Sequence, residues 1–154
     1  MSRNYLKLND DKSELLVFHT RHSPCPDISN IMVGEEDITP TVSSRNIGVV
    51  FYDTLTFEAH INSVCKTSFW HLRNIWRIRI YLDKSTLEIL IHYFITNKLD
   101  YCNSLLTGLL KYLIKRLQSV QNAAARLVSG SKKHNHITPG LQDLHWLPVE
   151  KRIA

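Results

Sequence analysis

Leu110–Gly130 reads LKYLIKRLQSVQNAAARLVSG, and this stretch decides the fold. Its apolar residues recur at intervals of three and four, which is the spacing of one face of an α-helix. The residues on this face are Leu113, Leu117, Val120, Ala124, Leu127 and Val128. Gly130 follows directly, and glycine is the residue that most readily ends a helix in a left-handed conformation. The sequence therefore predicts a long amphipathic helix from about Leu110 to Ser129.

Two further helices are predicted upstream, because the apolar period changes to about 3.6 after Asp53. The first is predicted to begin near Thr56, a possible N-cap, and the second near Asp83 or Ser85. The segment Leu99–Gly108, LDYCNSLLTG, then breaks the helical pattern. The residues expected to face inward are Phe57, Ile61, Val64, Cys65, Phe69, Leu72, Ile75 and Trp76 in the first helix, and Leu87, Leu90, Ile91, Phe94 and Ile95 in the second.

The N-terminal third is predicted to form strands. A hairpin is expected from 28–33 and 38–42 around a polar turn at 34–37, and 46–51 is rich in β-branched and aromatic residues. Gly48 within the latter suggests a bulge or a close backbone approach. Strands followed by helices indicate an α+β fold, with short antiparallel strands preceding a helical bundle. The predicted domains are residues 1–53 and 54–154.

The charge is distributed unevenly along the chain. Residues 1–60 carry five basic and nine acidic side chains, a local charge of −4, whereas residues 61–133 carry twelve basic and three acidic ones, a local charge of +9. A basic segment of this kind suggests a polyanionic partner, since Lys and Arg release condensed counterions when they neutralise phosphates. The alternative is a set of solvated helix faces, and composition favours neither.

Several other classes of protein find little support. The three cysteines are widely spaced and form no CxxC pair, so a disulfide framework and a zinc knuckle are not expected. His134 and His136 are interpreted as a loop pair, and His145-Trp146 as a packing anchor for the tail. The N-terminus carries no apolar signal, and no apolar stretch is long enough for a membrane span. The sequence predicts an intracellular protein, in the nucleus or cytoplasm, that is not secreted.

Five stretches, in order, resemble motifs of the reverse transcriptases of non-LTR retrotransposons of the LINE type, such as the jockey-like elements. They are Leu6–Glu14; Arg45–Val49 with the following Asp53, Leu55, Phe57, His60 and Ile61; Leu99–Leu106; Leu117–Leu127; and His145–Val149 with Arg152 and Ile153. Departures occur at Lys98, where the family often has arginine, and at Leu110, where it often has proline. The resemblance implies the end of the polymerase palm followed by a thumb, truncated at the C-terminus.

The resemblance also implies a missing active site. Members of the family are RNA-directed DNA polymerases that use Mg²⁺ held by aspartates. Two of these aspartates belong to a four-residue motif, aromatic-Ala-Asp-Asp, which does not occur in this sequence. Asp10-Asp11 lies in the motif that follows the catalytic loop, so these carboxylates are interpreted as turn or surface groups. We therefore expect no enzyme activity, no cofactor, no metal and no small-molecule substrate for this chain alone.

Nucleic-acid binding remains as the function that the thumb resemblance implies, because thumb helices contact the backbone of the primer–template duplex. Nine candidates for such contacts are Arg73, Arg77, Arg79, Lys111, Lys115, Arg116, Arg126, Lys132 and Lys133. Four residues resemble the segment near the primer strand: Asn46, Ile47, Gly48 and Val49. Trp70 and Trp76 could stack on single strands, but Trp76 is interpreted as a core residue.

Two alternatives stay open. The chain could be a helical protein-interaction module derived from a retrotransposon thumb, or it could act as an enzyme within a longer or complementing product. The missing palm strands are expected to leave an exposed edge through which copies could associate.

Overall fold

The structure is a computed structural model that describes Asn9 and residues 12–20, 26–132 and 134–153. The chain forms two compact units, residues 1–57 and 58–154. The first unit holds the strands and the second holds the helices, so the fold is mixed α and β. Among the described residues, no helix is both long enough and apolar enough to cross a membrane.

The first unit contains short strands paired in twos. Their bounds are β1 Leu15–Leu16, β2 Ile31–Val33, β3 Glu36–Ile38, β4 Pro40–Thr41, β5 Ser43–Asn46 and β6 Val49–Tyr52. Strands β2 and β3 form an antiparallel hairpin, as do β5 and β6, whereas β1 and β4 pair in parallel. The expectation of antiparallel strands alone is therefore wrong for the β1–β4 pair.

The predicted hairpin at 28–42 exists but is shorter than expected. Its turn is Gly34-Glu35, because Glu36 and Asp37 already belong to β3. The second arm ends at Ile38, and Pro40–Thr41 pairs with β1 instead. The hydroxyl of Thr41 donates to the Leu15 carbonyl at 3.2 Å, which adds a side-chain bond to this short ladder. The proline interrupts the predicted arm because it has no N–H to donate to the β2 partner.

The prediction of one continuous strand at 46–51 is also wrong. Ile47 and Gly48 form the tip of the β5–β6 hairpin, with φ of +47° and +79°. Positive φ at both central residues is the pattern of a tight hairpin turn whose twist matches the flanking strands. Gly48 is thus a turn residue and not a bulge, and Ile47 adopts a conformation that is uncommon for a β-branched side chain.

The second unit is helical throughout most of its length. Its elements are α1 Glu58–Ile78, a 3₁₀ turn Arg79–Tyr81, α2 Lys84–Ile91, a π-helical segment His92–Thr96, α3 Asn97–Asp100, a 3₁₀ turn Asn103–Leu106, α4 Lys111–Ser129, α5 Thr138–Asp143 and α6 Val149–Arg152. Helices α1, α2 and α4 contact one another, and the π-helical segment contacts both α1 and α4. Their shared core includes Ile61, Ile91, Ile95, Leu117 and Val120.

Helix α4 confirms the prediction made from its periodicity. It begins at Lys111, one residue later than expected, and all six residues predicted to face inward are buried. Gly130 has a left-handed φ of +72° and donates its N–H to the Arg126 carbonyl at 2.9 Å. This bond satisfies one of the carbonyls that a helix end leaves without a partner.

Helix α2 continues through the π-helical segment into α3 without interruption. Asp83 caps its start, since its carboxylate accepts the backbone N–H of Ser85 at 3.1 Å and that of Thr86 at 3.3 Å. Four buried side chains line the whole run at intervals of four: Leu87, Ile91, Ile95 and Leu99. A strict interval of four drifts around a regular helix of 3.6 residues per turn. The wider π turn offsets that drift and keeps all four in the core.

In α1, the inward prediction is correct for Ile61, Cys65, Leu72 and Ile75 and wrong for two aromatic residues. Phe69 is 44% exposed and Trp76 is 65% exposed. Each follows a buried residue, Ser68 or Ile75, by one position. A step of one residue turns the side chain about 100° around the helix, which carries both rings out of the core.

Candidate nucleic-acid interface

The outward face of α1 carries alternating cations and aromatic rings, which we call the α1 stripe. Its exposed members are Lys66, Phe69, Trp70, Arg73, Trp76 and Arg77. The stripe flanks the buried face that Ile61, Leu72 and Ile75 form, with Trp76 at the edge of that face. Among the described residues, no carboxylate lies within 4.0 Å of its three cations. Their charge is therefore free to act on a partner.

One of the tryptophans is held in place by other rings. Trp70 meets His71 edge to face with 4.9 Å between ring centroids, and His71 stacks on Phe94 at 4.8 Å. The Nζ of Lys98 lies 3.2 Å from the Nε2 of His71. Burial and the neighbouring Lys98 charge both lower the pKa of the His71 imidazole. A neutral His71 can accept the hydrogen bond that Lys98 donates, which fixes the ring against Trp70.

A second set of cations lies on α4. Lys111 and Lys115 are exposed and one turn apart, and Arg116 is exposed beside them. Arg116 lies close enough to α1 to act on Cys65: burial raises the pKa of the Cys65 thiol, and the Arg116 charge opposes that rise. Since the core lies between the buried faces of α1 and α4, the α1 stripe and the α4 lysines are on the outward sides of two neighbouring helices.

Arg79 and Arg126 have structural roles that the sequence did not reveal. Both are half-buried at the C-terminal end of α4. The Nη2 of Arg79 lies 3.0 Å from the position that a Cβ on Gly130 would occupy, and a cation there complements the negative end of the helix dipole. The Nη2 of Arg126 donates to the Asn135 carbonyl at 3.4 Å. Lys132 is exposed nearby, and Lys133 lies outside the described residues.

The four residues that resemble a primer-contacting segment surround the tip of the β5–β6 hairpin. Asn46 pairs with Val49 across the ladder, and Ile47 and Gly48 form the turn between them. Val49 is buried, whereas Ile47 is 77% exposed. The hairpin belongs to the first unit, and the candidate cations belong to the second.

The motif residues of the second unit meet in space and fasten the end of the chain to α4. The Oε1 of Gln118 accepts the Val149 N–H at 2.9 Å, and the Nε2 of Gln121 donates to the Leu147 carbonyl at 2.8 Å. The Nε2 of Gln118 also donates to the side-chain oxygens of Gln121 and Asn122, each at 2.9 Å. We call Gln118 and Gln121, with the tail residues they hold, the tail clasp.

A second fastening holds the same tail to the end of α3. Arg152 forms an ion pair with Asp100, and the Asn103 amide donates to the Arg152 carbonyl at 3.0 Å. Trp146 packs edge to face on His92 with ring centroids 5.5 Å apart, so its predicted role as an anchor is confirmed. His145 is exposed and has a positive φ of 54°, so it does not share that role. In the sequence, this network could have been recognised from polar residues, such as Gln121, that lie on an otherwise apolar helix face.

A groove of about 730 Å³ lies between α4, α5 and the tail. Its walls are mostly apolar and include Ile114, Leu141, Trp146 and Leu147, and its charged lining residues are Lys115 and Glu150. Such a groove suits an apolar segment of another protein better than a phosphate backbone, because few charges line it.

Metal-ligating side chains do not cluster within the part of the chain that the structure describes. No group of three or more His, Cys, Asp or Glu side chains there could hold a metal ion. His134 and His136 are exposed, and Asp10-Asp11 and Cys25 lie outside the described residues. Cys65 and Cys102 are free thiols.

Comparison with protein-family models, with curated proteins and with solved structures finds no significant match to this chain.

Proposed function

We propose that this chain binds nucleic acid through the phosphate backbone and has no polymerase activity of its own. The observation that carries the proposal is a set of exposed cations without a carboxylate within 4.0 Å among the described residues: Arg73, Arg77, Lys111, Lys115, Arg116 and Lys132. Phosphate contacts of this kind position a nucleic acid without reading its sequence.

The sequence resemblance supports the same proposal. According to this resemblance, residues 1–53 correspond to the end of a retrotransposon reverse-transcriptase palm and residues 54–154 correspond to its thumb. The exposed tip at Ile47 and Gly48 would contact the primer strand. The motif that would supply catalytic aspartates is absent from the sequence, so Mg²⁺-dependent synthesis is assigned to the family and not to this chain. A nuclear or cytoplasmic location agrees with such a partner.

Salt dependence tests the proposal. Fluorescence anisotropy with a labelled RNA–DNA duplex should show affinity falling steeply with salt, because binding releases counterions. The variant Lys111→Gln/Lys115→Gln should reduce the slope of log K against log salt by about 0.7–0.9 for each phosphate that is no longer neutralised. Lys84→Gln is the matched control, since Lys84 is exposed but lies 3.8 Å from Glu88. Unchanged binding in the double variant contradicts a role for the α4 lysines.

Primer extension tests the absence of polymerase activity. The purified chain, given a primed RNA template, nucleotides and Mg²⁺, should give no extended product. Extension by this chain alone would contradict the proposal directly.

The groove beside α4 favours a second candidate, a protein-interaction module that takes an apolar peptide segment. Its binding would be nearly independent of salt, because buried apolar area contributes most of the free energy. Binding of an apolar peptide that Leu147→Gln abolishes and Arg73→Gln/Arg77→Gln leaves unchanged would favour this candidate over nucleic acid, because Leu147 lines the groove and the two arginines do not.

The short strand pairs support self-association as a further part of the proposal. Within the described residues each pair consists of two strands, and an outer edge that no third strand covers is a site at which another copy can pair. Sedimentation velocity over a range of concentrations tests this, and a monomer at every concentration contradicts it.

A further inference from the structure

Trp70 and Trp76 are positioned symmetrically about one cation of the α1 stripe. They precede and follow Arg73 by three residues, so each lies about 60° around the helix from Arg73, on opposite sides. Their exposed fractions are 61% and 65%. The two indoles are about 9 Å apart along the axis, because six residues rise 1.5 Å each. Burying an aromatic ring ordinarily stabilises a fold, and these rings contribute little of that stabilisation here.

The charged residues of α1 near the two rings are all basic. Lys66, Arg73 and Arg77 lie between them or beside them, and the only acidic residue of α1, Glu58, is in its first turn. The stripe therefore offers positive charge and flat π faces together. A single strand of nucleic acid supplies the complement, since its phosphates are negative and its bases can leave their stack. A duplex supplies the charge alone, because its bases stack on one another.

An anionic membrane surface fits this arrangement less well. A helix that lies in a membrane interface inserts a continuous apolar face and keeps its cations on the opposite, polar face. The α1 stripe has cations along its centre and indoles along its edges, and the apolar face of α1 is already buried in the core of the second unit.

We infer that the α1 stripe binds single-stranded nucleic acid, with bases stacked on Trp70 and Trp76 and phosphates neutralised by Arg73 and Arg77. This inference rests on the proposed function and deepens it, because it names the strand form and the residues that contact the bases. The edge contact between Trp70 and His71 holds one indole ready for stacking.

The test measures affinity of the full chain for labelled oligothymidylate and for an abasic oligomer of equal length and charge. Trp70→Ala and Trp76→Ala should each weaken oligothymidylate binding by about 5- to 150-fold, the range of base–aromatic stacking. The same variants should leave binding of the abasic oligomer nearly unchanged. Arg73→Gln/Arg77→Gln should weaken binding of both ligands. Phe18→Ala removes an exposed ring of the first unit and is the matched control, and circular dichroism confirms that each variant folds.

Three outcomes separate the hypotheses. Loss of binding in the arginine variant alone, with both tryptophan variants unchanged, overturns stacking and leaves the proposed function in place. Absence of salt-sensitive binding to any oligonucleotide or duplex overturns both. Tryptophan-dependent binding to phosphatidylserine vesicles without binding to oligothymidylate assigns the stripe to a membrane surface and overturns the inference.

Discussion

The side-chain oxygen of Gln118 accepts the backbone N–H of Val149 at 2.9 Å and so caps a helix that is distant in sequence. Val149 is the first residue of α6, and its N–H is one of the donors that a helix start leaves without an internal partner. The preceding Pro148 makes no side-chain cap. Gln118 supplies from α4 what a serine or aspartate at Pro148 would supply locally.

Replacing Gln118 should release the tail. Gln118→Ala removes the acceptor of the Val149 N–H and the donor to Gln121, so we expect stability to fall by about 1–3 kcal/mol. Urea unfolding followed by tryptophan fluorescence measures this change. Hydrogen exchange at residues 147–153 should accelerate more than exchange in α1. Ser119→Ala, an exposed neighbour, is the control, and equal effects of the two substitutions would refute a specific role for Gln118.

The ion pair between Arg152 and Asp100 is partly exposed, with 20% and 37% of the side chains accessible. A double-mutant cycle with Asp100→Asn and Arg152→Gln should therefore give a modest coupling of about 0.5–1 kcal/mol. Asn103→Ala, which removes the second bond to Arg152, should destabilise the tail further. Strict additivity in the cycle would show that the pair contributes no stability.

Trp76 and Leu72 make a paired test of the α1 faces. Leu72 is buried at 6% exposure, so Leu72→Ala should cost about 2–5 kcal/mol, because the substitution removes buried apolar atoms and leaves a cavity. Trp76→Ala should change stability by no more than about 0.5 kcal/mol, as expected for a surface position. Thermal melts of both variants measure these changes in stability. A large destabilisation in Trp76→Ala would show that this ring is part of the core.

Acid should weaken the start of α2 through Asp83. Hydrogen bonds from Ser85 and Thr86 hold the pKa of the Asp83 carboxyl well below its usual range. A group whose pKa is depressed by folding stabilises the fold above its unfolded pKa, and that contribution is lost as pH falls through the folded pKa. We therefore expect faster hydrogen exchange at Ser85 and Thr86 at strongly acid pH. Asp83→Asn should remove most of that pH dependence, and an unchanged profile would contradict this account.

Periodicity predicted most of the helical unit. The spacing of apolar residues predicted six of the eight buried residues of α4 and its glycine cap, because a 3.6 period leaves little choice of buried face, but it did not predict Gln121 and Ala125. The same method failed at Trp76, where an apolar ring lies one position past the buried face. Hydrophobicity alone does not distinguish a ring at the edge of the core from one outside it.

The strand unit and the candidate interface were harder to predict. Two-residue strands such as β1 and β4 are too short to show a pattern, so their parallel pairing could not be anticipated. The sequence identified the exposed cations as a group, but it did not separate Arg73 and Arg77 from the half-buried Arg79 and Arg126. That distinction depends on which side chains meet the end of α4, which only packing determines.

The contacts of the tail clasp indicate the order in which α4 and the tail form during folding. Gln118 and Gln121 lie side by side only after α4 has completed the turn that joins them, and Asp100 is 52 positions from its partner Arg152. Closing so long a loop before α4 forms would cost entropy without any interaction to offset it. We therefore expect residues 147–152 to dock late, so that substitutions in the clasp speed unfolding and leave the folding rate nearly unchanged.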